Sequence, residues 1–252
     1  FQQSKTSKVV VFLVALGLVL LLVGTARFYT YRFYGRFLLT EGEAVIDADK
    51  SYQELRTGLI RPNPEYRWGI QLEKVSLNYL KAGEISGIAA YLFFYDQVEN
   101  KGYQGVADLT HPVKMGGLQI RPVALGIAPA VSICDKDGSL VWRGAPKLDL
   151  LNKITDSMIA ADVNFAVAFY PMDRFVFSLV EEGINKTIPV GGSPVPIGPY
   201  ILEVPVYRYW LEFELQSTLG KNLIYTGLAV LASGLLVALV TVRKREVKGV
   251  IV

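Results

Sequence analysis

A single histidine, His111, lies between Thr110 and Pro112, and any chemistry that needs an imidazole must pass through it. A Ser-His-Asp arrangement would have to recruit this ring, yet the chain has no Gly-x-Ser-x-Gly elbow, and the following proline biases His111 toward an extended or turn conformation. Two readings stay open. His111 is either a structural or surface residue, or one donor to a haem iron or metal whose other ligands come from a partner, since one neutral imidazole cannot build a site alone.

The other reactive residue types offer less. Cys134 is the only cysteine, so the chain can form neither an internal disulfide nor a Cys-x-x-Cys-His haem attachment. Asp135 and Asp137 precede Gly138 like a fragment of a calcium loop, but the remaining ligand spacing is missing and a hairpin turn explains them. Glu181 and Glu182 before Gly183 read as a solvated turn, and Asn185-Lys186-Thr187 matches a glycosylation acceptor that matters only in a eukaryotic lumen. No catalytic constellation emerges, and the expectation is a protein that is not an enzyme and has no metal site.

What could position such residues is a membrane. Val9 to Ala26 and Asn222 to Val242 are uncharged runs, each long enough to cross a hydrocarbon core about 30 Å thick. Neither contains an ionisable group, so no proton or ion path is encoded in them. A signal peptide is the rival for the first run, but it is long for an h-region and bulky Arg27, Phe28 and Tyr29 follow it, which favours an uncleaved span. The opening at Phe1 rather than Met leaves room for preceding residues or spans. Arg243, Lys244, Arg245 and Lys248 follow the second run, a cluster of the kind retained in the cytoplasm. The expected organisation is a transmembrane helix over 1–29 with a cytoplasmic start, an extracytoplasmic domain over 30–220, and a second transmembrane helix with a basic cytoplasmic tail over 221–252.

The middle region reads as mainly β, a sandwich or distorted barrel. Val163, Phe165, Val167 and Phe169 alternate with smaller or more polar residues, as do Leu211, Phe213 and Leu215 with Glu212 and Glu214. Trp68, Ile70 and Leu72 share one parity, whereas Val75, Leu77 and Tyr79 share the other, which predicts a bulge near Glu73 or Lys74. Turns are expected at Ala82-Gly83, Lys101-Gly102, Gly116-Gly117, Asp137-Gly138 and Glu182-Gly183. Leu148 to Ala161 is the one helical candidate, and the proline-rich stretch Pro189 to Pro199 is expected to be a surface crossover between elements of a single domain.

Two features suit contact with lipid or protein. Phe28, Tyr29, Tyr31, Phe33 and Tyr34 form an aromatic collar after the first span, either an interfacial anchor or a helix continuing onto the soluble domain. Gly17 with Gly24, and Gly227 with Gly234, place small residues seven apart on each span, fitted to a neighbouring helix or simply facing lipid. The net charge of +3 is dispersed, and without a clustered basic stripe a nucleic-acid partner is not expected.

Several segments in order resemble the ResB family of cytochrome c biogenesis proteins. They are the first span followed by Gly35-Arg36-Phe37-Leu38-Leu39-Thr40-Glu41-Gly42-Glu43, Trp68-Gly69-Ile70 through Tyr79, and His111-Pro112-Val113-Lys114-Met115-Gly116-Gly117. Gly126-Ile127-Ala128-Pro129-Ala130-Val131, Asp135-Lys136-Asp137-Gly138 and Leu219-Gly220-Lys221 complete the set. The resemblance spans about residues 15–245. It implies a scaffold in the cytoplasmic membrane of a bacterial-type cell, with its main domain on the periplasmic side. With an integral, cytochrome-related membrane partner, such a scaffold delivers haem for cytochrome c maturation. It further implies that this chain binds no cofactor alone and that haem reaches it only through the partner. The chain departs from the family in showing one span, not three, before the domain and in having no histidine from Ser4 to Phe12. A rival role follows from that departure: an accessory or assembly subunit of a larger membrane electron-transfer complex that has lost haem handling.

Overall fold

Alternating and helical patterns separate cleanly along the chain, and the computed structural model, which describes residues 2–60, 68–79, 85–97, 99–115, 117–170, 174–217 and 219–249, follows that division. Helix α1 (Gln2–Thr30) and helix α2 (Lys221–Gly249) enclose an antiparallel β region. Within them, Lys8–Thr30 and Lys221–Thr241 are long and apolar enough to cross a membrane, with mean hydropathies of 2.9 and 2.3. The strands in chain order are β1 (Phe33–Thr40), β2 (Ala44–Ile46), β3 (Glu54–Thr57), β4 (Trp68–Tyr79), β5 (Ile85–Asp96), β6 (Lys101–Asp108), β7 (Val113–Met115), β8 (Leu118–Pro129) and β9 (Val131–Cys134). They continue as β10 (Leu140–Gly144), β11 (Asp156–Ala160), β12 (Val163–Tyr170), β13 (Arg174–Leu179), β14 (Ile184–Pro189), β15 (Val195–Ile197), β16 (Tyr200–Glu203) and β17 (Tyr207–Ser217).

These strands form four sheets, ordered β3-β1-β17-β8-β7, β2-β4-β5-β6, β10-β9-β16-β15 and β11-β12-β13-β14. The first two sheets enclose a core containing Phe37, Ile70, Leu72, Phe94, Ile120 and Phe213, all at most 1% exposed. The last two enclose another, built around Ile133, Phe165, Phe175, Phe177 and Leu202. The region expected as a single domain thus contains two hydrophobic lobes. Strands β8 and β17 pair from Leu118↔Ser217 to Pro129↔Tyr207 and supply side chains to both cores. Their Leu118/Ser217 end adjoins the helices, so the first lobe is helix-proximal and the second distal.

The expected bulge is present: the β4–β5 register shifts between Leu72 and Lys74, so Leu72 and Val75 both face the core despite opposite parity. Its backbone is met by the segment after β1. Gly42 N–H donates to Leu72 O, Leu72 N–H donates to Glu43 O, and the Glu41 carboxylate accepts the Val75 N–H at 2.7 Å.

Three expectations are corrected. Leu148 to Ala161 is not helical: Leu148 bridges Ile127, a turn follows, and β11 buries Met158 and Ala160 while Ile159 is 76% exposed. Lys101 and Gly102 lie inside β6, and the turn precedes them, with Asn100 at φ 51°. Within Pro189–Pro199 the chain makes a turn and then β15, whose Pro196 is tolerated because β15 is an edge strand. The turns at Gly138 and Gly183 form as expected, with φ 84° and 67°. The Pro62/Pro64 loop, the Ala82-Gly83 turn and Gly116 lie outside the described residues.

Candidate functional site

His111 occupies the loop between β6 and β7, which Asp108 organises. The Asp108 carboxylate accepts hydrogen bonds from the Thr110 N–H at 2.7 Å, the Thr110 hydroxyl at 2.8 Å and the His111 N–H at 2.5 Å. Its Oδ2 lies 3.0 Å from His111 Nδ1, which also lies 2.9 Å from the Thr110 hydroxyl. The Thr110 hydroxyl, then the His111 N–H, hold the Asp108 carboxyl well below the usual carboxylate range, against the opposing effect of desolvation. An ionised carboxylate can only accept, so the contact suits a proton on Nδ1, and in that tautomer of the neutral ring Nε2 keeps its lone pair. The side chain is 84% exposed. Leu109 of the same loop lines a cleft of about 300 Å³ with Ile88, Val123 and Leu151.

Chemically, a carboxylate that holds one ring nitrogen of a largely exposed imidazole restrains its orientation, and such a ring can offer at most one donor to a metal. Among the described residues, no group of three or more His, Cys, Asp or Glu side chains converges to hold a metal ion. Asp135 forms a hairpin turn, its Oδ1 accepting the N–H groups of Asp137 and Ser139. Cys134 is a half-buried free thiol.

The four glycines singled out in the spans meet within the chain. A Cβ on Gly17, Gly24 or Gly227 would lie 2.8 Å from the backbone nitrogen of Leu231, Ile224 or Leu21, respectively, and one on Gly234 would lie 3.1 Å from the Leu13 Cβ. Positions 13, 17, 21 and 24 of α1 therefore run antiparallel to 234, 231, 227 and 224 of α2, and Phe28 meets Gly220 just before α2. Small residues allow this close backbone approach. The glycine faces serve the intramolecular seam.

The aromatic collar divides among different environments. Phe28 and Tyr29 sit edge to face on the last turns of α1, with Tyr29 61% exposed, and half-buried Tyr31 extends that turn through its N–H to Arg27 O. Phe33 opens β1 and is buried in the helix-proximal core. Tyr34 points to the opposite face, with the guanidinium groups of Arg36 and Arg56 within 6 Å of its ring. On that face Glu54, Arg36, Glu214 and Arg121 stand side by side across β3, β1, β17 and β8. Arg36 reaches Glu54 and Glu212, and Arg121 lies 3.1 Å from the buried Glu214. Sequence reasoning missed this charged row because its members are far apart in the chain.

No protein-family model and no curated protein matches this chain.

Proposed function

We propose that this chain is a ResB-like, non-enzymatic membrane scaffold that acts with an integral, cytochrome-related partner in haem delivery and cytochrome c maturation. The observation that carries the reading is the Asp108-held imidazole, exposed on a β-rich domain that is fixed between two apolar helices. Haem is then a cargo. His111 Nε2 supplies at most one axial donor, and the partner supplies the porphyrin pocket and the second. The basic residues Arg243 to Lys248 support a topology with both termini in the cytoplasm and the β domain outside a bacterial-type cytoplasmic membrane. The bilayer is the other partner, and nucleic acid is not one.

The alternative role, an accessory subunit of a larger electron-transfer complex, is favoured by the lack of histidine in the first span. Purification from native membranes separates the two. Haem delivery predicts a co-purifying partner with Trp-rich extracytoplasmic sequence and a Soret band that changes in the His111→Ala variant. The accessory role predicts stoichiometric recovery with a multi-subunit assembly and normal cytochrome c maturation in a deletion strain. A chain recovered alone, with maturation unaffected by its loss, sinks both.

A further inference from the structure

The segment that follows β3 is built onto the end of the first apolar helix. Gly58 N–H donates to Arg32 O at 2.6 Å, and Ile60 N–H donates to Thr30 O at 2.9 Å, satisfying a carbonyl at the α1 terminus. A Cβ on Gly58 would collide with Tyr29 O, Thr30 O and Arg32 N, so only glycine permits this approach. The two residues carried past it turn outward: Leu59 is 88% exposed and Ile60 51%. Exposure alone does not distinguish them, because Ile154 in the distal lobe is 86% exposed. Their level does. The Lys8–Thr30 stretch has 23 residues and rises about 34 Å, so Thr30 falls near the boundary of a hydrocarbon core about 30 Å thick. Exposed Arg27, Tyr29 and Arg32 ring the same level, with side chains suited to phosphate headgroups and the interface.

We infer that Leu59 and Ile60 insert into the headgroup–acyl boundary of the bilayer as a third membrane contact, holding the helix-proximal lobe against the lipid surface. This rests on the reading that α1 spans the membrane. The occupant is lipid: the loop's height is set by backbone hydrogen bonds to the span, and its charged neighbours carry the sign that headgroup phosphates attract. Two apolar side chains set on a rigid backbone add burial and fix the tilt of the domain.

The full-length chain with Cys134→Ser, reconstituted in nanodiscs of phosphatidylethanolamine and phosphatidylglycerol, takes an environment-sensitive fluorophore at Leu59→Cys, Leu22→Cys or Ile154→Cys in turn. Leu22 is 70% exposed on α1 and reports the span, whereas Ile154 reports water. The expected result is emission at 59 shifted to shorter wavelength, quenched by brominated lipid and shielded from iodide, as at 22 and unlike 154. Water-like emission at 59 with lipid-like emission at 22 overturns the anchor alone. Water-like emission at both overturns the anchor and the span together. An Ile60→Asp change in the Leu59→Cys protein is expected to restore iodide quenching at 59, and unchanged shielding counts against insertion.

Discussion

At the scale of single residues, Asp108 does the most with the least sequence. One carboxylate satisfies two backbone N–H groups, a hydroxyl and a ring nitrogen, so the loop has a defined shape although its side chains are largely exposed. Because its folded pKa lies below the 3.8 of an ordinary aspartate, its contribution to loop order is fully present above that value and is lost only as pH falls through the depressed one. Asp108 is therefore expected to add no titration step to the amide resonances of Thr110 and His111 at mildly acid pH, and to move them only under stronger acid. In Asp108→Ala they should collapse toward random-coil values at neutral pH, and unaltered resonances in that variant would remove the orienting role. His111 and its following proline were legible as a loop from sequence. The network was not, since Asp-x-Thr-His is a common local pattern whose value depends on the turn that brings all four groups to one carboxylate.

Legibility at the scale of elements tracks how local each cause is. The β4 bulge could be read because burial changes parity between Leu72 and Val75, a signal contained within four residues. The stretch from Leu148 misled because Leu148, Leu151, Ile154 and Met158 recur at helical spacing, yet Ile154 is solvent-exposed. Its turn is instead held by Asn152, which donates to Asp149 Oδ1 and to Leu125 O, and by the Asp156 carboxylate, which accepts the Asp149 N–H. The glycines were visible, but whether they faced lipid, a partner or each other depended on the fold that returns the chain to the membrane. Their seam makes a specific demand. In a Cys134→Ser background, cysteines at 13 and 234 should cross-link within the chain under mild oxidation. Adding Gly227→Leu forces a side chain against the Leu21 backbone, an overpacking cost of about 1–3 kcal/mol, and should cut the cross-link yield severalfold. An undiminished yield would mean that the helices do not pack through this face.

Two cores connected by two continuous strands determine how the whole molecule responds to damage. Sheet pairing along β8 and β17 passes from one core to the other without a linker, and side-chain bonds brace the junction. The Trp210 indole N–H donates to Leu148 O at 2.9 Å, Lys147 lies 3.0 Å from Glu43, and Arg208 donates to Glu41 O. Burial opposes ionisation of Glu43, but the Thr40 N–H and the Lys147 ammonium outweigh it and keep the carboxylate charged. Glu41 is the centre of the brace, one oxygen accepting Val75 N–H from the bulge and the other accepting Tyr209 N–H from β17 at 3.1 Å. Glu41→Ala leaves both donors without that partner and is expected to cost about 1–3 kcal/mol, with Glu41→Gln losing less because it retains an acceptor oxygen. Trp68 reports the proximal core and Trp142 packs against the distal one, so variants retaining one or the other follow each lobe separately. Their thermal midpoints in detergent should coincide and should fall together in Glu41→Ala, because neither lobe can release β8 or β17 without exposing the core of the other. Separate midpoints, or a fall at Trp68 alone, would show that the shared strands do not couple the lobes and that the distal one is an independent folding unit.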